Sequence, residues 1–335
     1  MTTKYIGTTF PKSFQWHTDE VGLINSIKNQ IDIAYPLTKN LFINTTWFGP
    51  QFDNGEYGKF LKIAALESFD NLFLLAAADP VFLNSDQITN ITSLCGVSNL
   101  FLLGHFDTEY YFNFHSIVLP KYFYQYTTDQ ITMKTPTWKF LNYNRKPRDH
   151  RTEFVNKVVS NKLDTIGLIT LGNLLTIGEK ISDYVEGNWG MPDDYGIPHD
   201  IHSLGRMDIW QNHFLTVVSE TEFLPWDNMF ISEKTWKPIL GLRPFVLNGQ
   251  TKIYKYLRDN GFKTFNHYFN GIELEDIPEY EVHDSIISVI KYLATLDKTE
   301  ILTMYNNMLP ELVHNRNRFF EFAKEQQYKI DHLFQ

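Results

Sequence analysis

Apolar positions in the first part of the chain fall in short runs separated by polar, helix-like stretches. Leu41–Asn44, Asn71–Ala77, Asn99–Gly104 and Asn113–Leu119 are each bounded by turn residues and are short for helices. Such runs predict strands buried on both faces of a parallel sheet, where continuous apolar sequence replaces the two-residue alternation of a half-exposed strand. A polar, turn-prone stretch at residues 128–136 predicts a boundary.

A second series of the same kind follows. Lys139–Tyr143, Leu163–Leu171, Phe214–Ser219 and Pro244–Leu247 read as strands. Arg151–Asn161, Glu233–Leu240 and Lys252–Asn260 read as helices, and Ser285–Leu296 and Leu312–Phe334 follow the helical period. Gly187–Ser203, rich in Gly, Pro, Asp and His, reads as a long irregular loop, a kind of segment that is usually functional. No internal repeat and no low-complexity segment stands out. The expected fold is α/β, with two sheets flanked by helices. The expected domains are residues 1–135 and 136–310, with a C-terminal helix at 311–335 crossing back onto the first. A length of 335 residues agrees with two domains.

Composition narrows the classes. Hydrophobic residues at 43% and charged residues at 21% are those of an ordinary globular chain, and 16% aromatics supply well-packed cores and stacking surfaces. A net charge of −9 argues against a protein that coats nucleic acid, which needs a basic footprint. The lone Cys95 forbids an internal disulfide, so a reducing compartment is expected; the residue sits in an apolar run and reads as a buried small hydrophobe. No run of about 18 apolar residues exists to span a membrane, and the N-terminus lacks the apolar core of a signal peptide. The expected location is the cytoplasm.

Two segments carry chemistry. In Phe140–Arg151 a strand ends, a helix begins, and the turn between them holds Arg145, Lys146 and Arg148, with Arg151 in the first turn. Ligands of open α/β sheets bind outside the carboxyl ends of the strands, and helix N-termini attract anions. Guanidinium groups placed there grip phosphate oxygens in pairs. In Phe214–Gly249, Glu220 and Glu222 lie just past a buried strand, and Ser232 is a natural N-cap for the helix that Glu233 and Lys234 open. A first-turn lysine opposes the helix dipole unless an anion lies nearby, which makes Lys234 a candidate diphosphate contact. Gly241 and Pro244 return the chain into the next strand.

This second segment resembles the donor-binding motif of α-1,3-fucosyltransferases. The matching residues are Ser219-Glu220-Thr221, Asp227, Phe230 to Trp236, and Arg243 to Leu247. The Asn144–Arg151 run is similar to a turn in exostosin-like and related transferases, including phage proteins. The likeness spans about 110 residues of the second half; Thr221 stands where that family has Asn, and the gap from Glu220 to Glu233 is longer.

The resemblance implies a glycosyltransferase of the GT-B type, with two Rossmann-like domains facing a cleft and a nucleoside-diphosphate sugar bound to the C-terminal one. On that basis Glu220 holds the ribose, Lys234 and Arg145 hold the diphosphate with Arg148 and Arg151 beside them, Glu233 approaches the donor or orients Lys234, and Trp236 packs in the core. An inverting, metal-independent displacement follows, with no cofactor beyond the donor. The base that deprotonates the acceptor hydroxyl is sought after the strands of the first domain, at Asp79, His105 or Asp107. Asp193-Asp194 is not an Asp-x-Asp motif, and with His199, Asp200 and His202 it reads as a polar loop rather than a metal site. A glycan is the expected acceptor, a modified base of phage DNA is the alternative, and a non-catalytic nucleotide- or carbohydrate-binding protein is the alternative of another class.

Overall fold

The structure, a computed structural model, describes residues 3–7, 16–44, 68–76, 89, 92–93, 96–105, 108–144, 148–171, 174–175, 203–221, 223 and 229–335. The chain forms two compact units. One takes Met1–Val118, Asp227–Phe230 and Ala323–Gln335; the other takes Leu119–Trp226 and Ile231–Phe322.

The first unit holds a parallel sheet of β1 (Lys4–Gly7), β2 (Asn40–Asn44), β3 (Asn71–Ala76) and β4 (Asn99–Gly104), in the spatial order β1-β2-β3-β4. Helix α1 (Trp16–Ala34) connects the first two strands. The last three strands all open with Asn-Leu-Phe, and the register sets like against like: Asn40 beside Asn71 beside Asn99, and Phe42 beside Phe73 beside Phe101. Asn99 Nδ2 donates to Asn71 Oδ1 at 2.8 Å, and Asn71 Nδ2 donates to Asn40 Oδ1 at 2.9 Å. Phe73 stacks on Phe101 with ring centroids 4.5 Å apart. The absence of any internal repeat is therefore corrected at this scale. A three-residue start recurs, spaced too widely and unevenly to register as a period. At the end of β4, Gly104 takes φ of 88°, and a Cβ there would sit 2.1 Å from Ala76 O. Only glycine permits that approach.

The predicted strand at Asn113–Leu119 is a helix, α2 (Phe114–Val118), followed by α3 (Pro120–Phe123). Asn113 explains the difference: its side chain accepts from Ser116 N at 2.9 Å, as an N-cap does, and its carbonyl accepts from Ser116 Oγ at 2.8 Å. Pro120 opens the next helix from its first turn, where its missing N–H is no loss.

The second unit opens with α3, continues through a short helix, α4 (Thr128–Ile131), and builds a sheet of β5 (Trp138–Asn142), β6 (Gly167–Leu171), β7 (Leu174–Leu175), β8 (His213–Ser219) and β9 (Phe245–Asn248). Their spatial order is β7-β6-β5-β8-β9, with only β7 antiparallel. The strand expected over Leu163–Leu171 is confined to its second half, because Asp164–Ile166 closes a 3₁₀ turn. Helices α5 (Asp149–Ser160), α6 (Met207–Trp210), α7 (Glu233–Leu240), α8 (Lys252–Asp259), α9 (Val282–Thr295) and α10 (Lys298–Asp331) complete the order.

Arg243, matched to the family pattern only as part of a turn, is fully buried. Its guanidinium donates to Trp210 O at 2.5 Å, Leu242 O at 2.8 Å, Ile131 O at 2.9 Å and Tyr305 Oη at 3.2 Å. Burial lowers it to about 10. Gly241 lies under Trp210, whose Nε1 donates to Gly241 O at 2.8 Å; a Cβ at Gly241 would meet the indole at 2.3 Å. This part of the motif fixes the return into β9.

Candidate functional site

Strand order locates the site in the second unit. The chain enters at β5, moves outward to β6, then returns to the other side of β5 to lay down β8 and β9. The reversal falls between β5 and β8. At such a point the connections leave on opposite faces of the sheet, and a crevice opens beyond the carboxyl ends of the strands. Helix α5 follows β5, and α7 is the helix between β8 and β9. The N-termini of both meet residues 219–221, just past β8.

From α5, Arg148 Nη1 donates to Thr221 O at 2.6 Å. His150 Nε2 lies 3.1 Å from Glu220 O and donates to it as the protonated nitrogen. Arg151 Nη2 donates to Glu220 O at 2.9 Å and to Ser219 O at 3.3 Å. From α7, Lys234 Nζ donates to Thr221 Oγ1 at 3.2 Å, Ser232 Oγ at 3.3 Å and Glu233 Oε1 at 2.8 Å. Thus Arg148 and Lys234, carried by different helices, reach the same residue.

The two helix ends differ. Helix α7 is closed: Ser232 accepts from Lys234 N, and the Glu220 carboxylate takes Ser232 N at 3.1 Å, Ser232 Oγ at 2.6 Å, Thr235 Oγ1 at 2.6 Å and Thr221 N at 3.1 Å. Glu220 is fully buried and uses both oxygens within the protein. Helix α5 starts at Arg148 in extended backbone with no side-chain cap. An uncapped N-terminus flanked by cations is the better seat for an external anion. The anion that the α7 dipole demanded near Lys234 is present in the chain as Glu233.

A buried polar chain runs along the same edge of the sheet. Asn144 Nδ2 donates to Asn142 Oδ1 at 2.5 Å and to Thr170 O at 3.0 Å. Asn142 Nδ2 and Asn248 Nδ2 both donate to Ser219 Oγ, at 3.0 and 3.2 Å. His283 Nε2 lies 3.0 Å from Asn248 Oδ1, and its Nδ1 lies 3.4 Å from Glu153 Oε1. The Phe223 ring is flanked by His150, stacked at 5.3 Å, and His283 at 5.0 Å. Burial pulls His150 down to about 4, with Arg151 and Arg148 adding to the effect against its bond to Glu220. Burial likewise lowers His283, opposed by Glu153. At neutral pH His150 is an uncharged donor set between two arginines.

Among the residues singled out from sequence, Arg148, Arg151, Glu220, Glu233 and Lys234 are brought together at this edge. Arg145, Lys146, Glu222 and Asp227 lie outside the described residues, as do Asp79, Asp107, Cys95, Asp193, Asp194, His199, Asp200 and His202. His105 is placed in the first unit, directly after β4. It is 1% exposed, its ring packs on Phe230 at 4.7 Å, and its backbone N–H donates to Ala76 O. Trp236 is buried against Phe262, Phe319 and Phe322, as core packing requires. Asn142, Asn248 and His283 were not singled out, and Asn144, His150 and Ser219 entered only as members of the matched runs. Buried Asn, Ser and His are common structural residues; the available signal for Asn142, Asn144, Ser219 and Asn248 was a position two residues or fewer from a strand's carboxyl end, whereas His150 and His283 lie within helices α5 and α9. Also unnoticed is Glu20, fully buried in α1 and accepting from Asn44 Nδ2 at 3.0 Å.

Among the described residues no cluster of three or more His, Cys, Asp or Glu could hold a metal ion, and no described helix is long and apolar enough to cross a membrane. No family model matches the chain, and no curated protein matches it. Among solved structures it is similar to a crystal structure of an α1,3-fucosyltransferase with GDP, at 12% identity, over 84% of this chain and 89% of that one, with a TM-score of 0.36. A likeness at that score and identity carries no argument about fold or chemistry.

Proposed function

We propose that the chain is a glycosyltransferase that binds a nucleoside-diphosphate sugar at the carboxyl edge of its second sheet and passes the sugar to an acceptor hydroxyl. The observation that supports this most is the meeting of Arg148 and Lys234 on Thr221 at the reversal of strand order, beside the uncapped N-terminus of α5. Two cations and a helix dipole suit a diphosphate, the leaving group whose charge must be held as it departs. Arg145 and Arg151 lie in the same cationic stretch of the sequence.

In the reaction the acceptor oxygen attacks the anomeric carbon as the bond from that carbon to the diphosphate oxygen breaks. The electron pair leaves with the diphosphate, and the acceptor proton passes to a base, proposed among Asp79, His105 and Asp107. A single displacement inverts the anomeric carbon, and the cations supply the charge that a metal would otherwise bring. Glu233 orients Lys234 through their 2.8 Å ion pair. Glu220, with four donors on its carboxylate, acts on the donor through the backbone it holds rather than by accepting ribose hydroxyls. The acceptor is proposed to be a glycan.

The test is thermal denaturation with a panel of nucleoside diphosphates and their sugars. A ligand at about 100 times its dissociation constant adds roughly 2.7 kcal/mol of stability. One diphosphate should raise the midpoint, and Arg148→Ala and Lys234→Ala should each abolish the rise. No rise with any nucleotide sinks the reading. Binding without hydrolysis or transfer of the sugar points to a non-catalytic binder.

A further inference from the structure

Asn144 stands two residues beyond β5, in the connection that leads to Arg148 and the N-terminus of α5. Three bonds pin it. Its backbone N–H donates to Thr170 Oγ1 at 3.0 Å, and its side-chain amide donates to Thr170 O and to Asn142 Oδ1. Both amide protons are thereby spent. Flipping the amide would set Oδ1 against two acceptors, so the placement of Oδ1 and Nδ2 is fixed by the network. Among the described residues, Asn144 Oδ1 accepts no hydrogen bond, although the residue is fully buried. A buried acceptor held in place without a donor is costly and uncommon in folded proteins. Its polar neighbours Asn142, Ser219 and Asn248 each have partners.

We infer that Asn144 is a ligand-recognising residue, whose Oδ1 accepts a hydrogen bond from a hydroxyl of the bound nucleotide sugar. The inference rests on the nucleotide-sugar reading of this site and adds to it a residue with a stated role. Phosphate oxygens and carboxylates are acceptors and cannot satisfy Oδ1; only an O–H or N–H can. Asn144 is joined through Asn142 to Ser219, which Arg151 also bonds, so a group on Asn144 lies at the edge where Arg148 reaches Thr221. In a nucleoside-diphosphate sugar the groups adjoining the diphosphate on either side are hydroxyl-bearing rings, the ribose and the transferred sugar. The base N–H groups lie farther off.

The experiment is calorimetric binding to the full chain of pyrophosphate, of GDP, UDP, ADP and CDP with their 2′-deoxy and 3′-deoxy forms, and of GDP- and UDP-hexoses. Asn144→Leu should weaken a nucleoside diphosphate or its sugar about tenfold and leave pyrophosphate unchanged. If the loss appears with the diphosphate and vanishes for its deoxy form, the hydroxyl is on the ribose. If it appears only with the sugar-bearing donor, the hydroxyl is on the transferred sugar. Equal weakening of pyrophosphate would make Asn144 a structural residue and overturn the inference, as would unchanged affinity for every ligand. Should the leucine variant fail to fold, binding to the unaltered chain decides: a diphosphate affinity that is the same with and without its 2′- and 3′-hydroxyls, together with no gain from an attached hexose, would overturn it. If the unaltered chain binds none of these ligands, the nucleotide-sugar reading itself fails.

Discussion

The two sheets of this protein are built from similar strands and differ in what their edges do. In the first unit the strands run in sequence order, β1-β2-β3-β4, and each connection steps the same way. Identical residues then stack across the sheet, Asn on Asn and Phe on Phe, and the polar atoms at the start of the strands satisfy one another. In the second unit the order reverses between β5 and β8. That reversal puts two helix N-termini on one short segment and leaves cations, a neutral imidazole and an unmatched carbonyl at the carboxyl edge. A reversal of strand order leaves a crevice beyond the strand ends that polar groups can line.

The largest expected effect tests whether the second sheet depends on its buried cation. Arg243→Leu leaves several carbonyls at the turn into β9 without a donor and should cost about 3–5 kcal/mol. Hydrogen exchange should show lost protection in β8 and β9 with β2–β4 retained; equal loss in both sheets would break the comparison.

A smaller effect comes from pH. His150 is held near 4 in the folded chain, below the ordinary 6.5, so the unfolded chain gains protons first on acidification. Its contribution is complete above about 6.5, declines as pH falls toward 4 and changes no further below that. Allowing for partial solvent screening, the decline is about 1–2 kcal/mol. In urea denaturation at pH 7 and pH 4.5, His150→Gln should remove this part of the pH dependence, and an unchanged slope would contradict the burial of that imidazole.

An effect of similar size lies in the first sheet. Asn71→Ala interrupts the asparagine row and should cost about 1–2 kcal/mol by chemical denaturation, with nucleotide affinity unaltered. Weaker nucleotide binding in that variant would mean that the site is not confined to the reversed sheet.

Most strands and helices were legible because their signals are local. Glu233–Leu240 is read with both ends correct, since Ser232 caps it and Gly241 ends it. Asn113–Leu119 was misread because an apolar run of seven residues has no period of its own, and the deciding bond, from Asn113 to Ser116, is a matter of side-chain geometry. Arg148, Arg151 and Lys234 were found because clustered charge at a helix start is visible in one dimension. Their common target, residues 219–221, was not, since Arg148 and Thr221 are 73 residues apart.

The sequence by itself determined the alternation of buried strands and amphipathic helices, the capped start of α7 and the cationic turn before α5, all set by interactions within a few residues. Strand order was decided by the tertiary structure alone. Strands apolar on both faces offer any neighbour the same surface, so nothing in β5 or β8 specifies that they lie side by side. Tertiary structure also decided that the Glu220 carboxylate closes a helix and that, among the described residues, Asn144 keeps an acceptor without a donor. Both follow from segments folded onto one another, so the partners available to a side chain depend on which strands and loops have become neighbours.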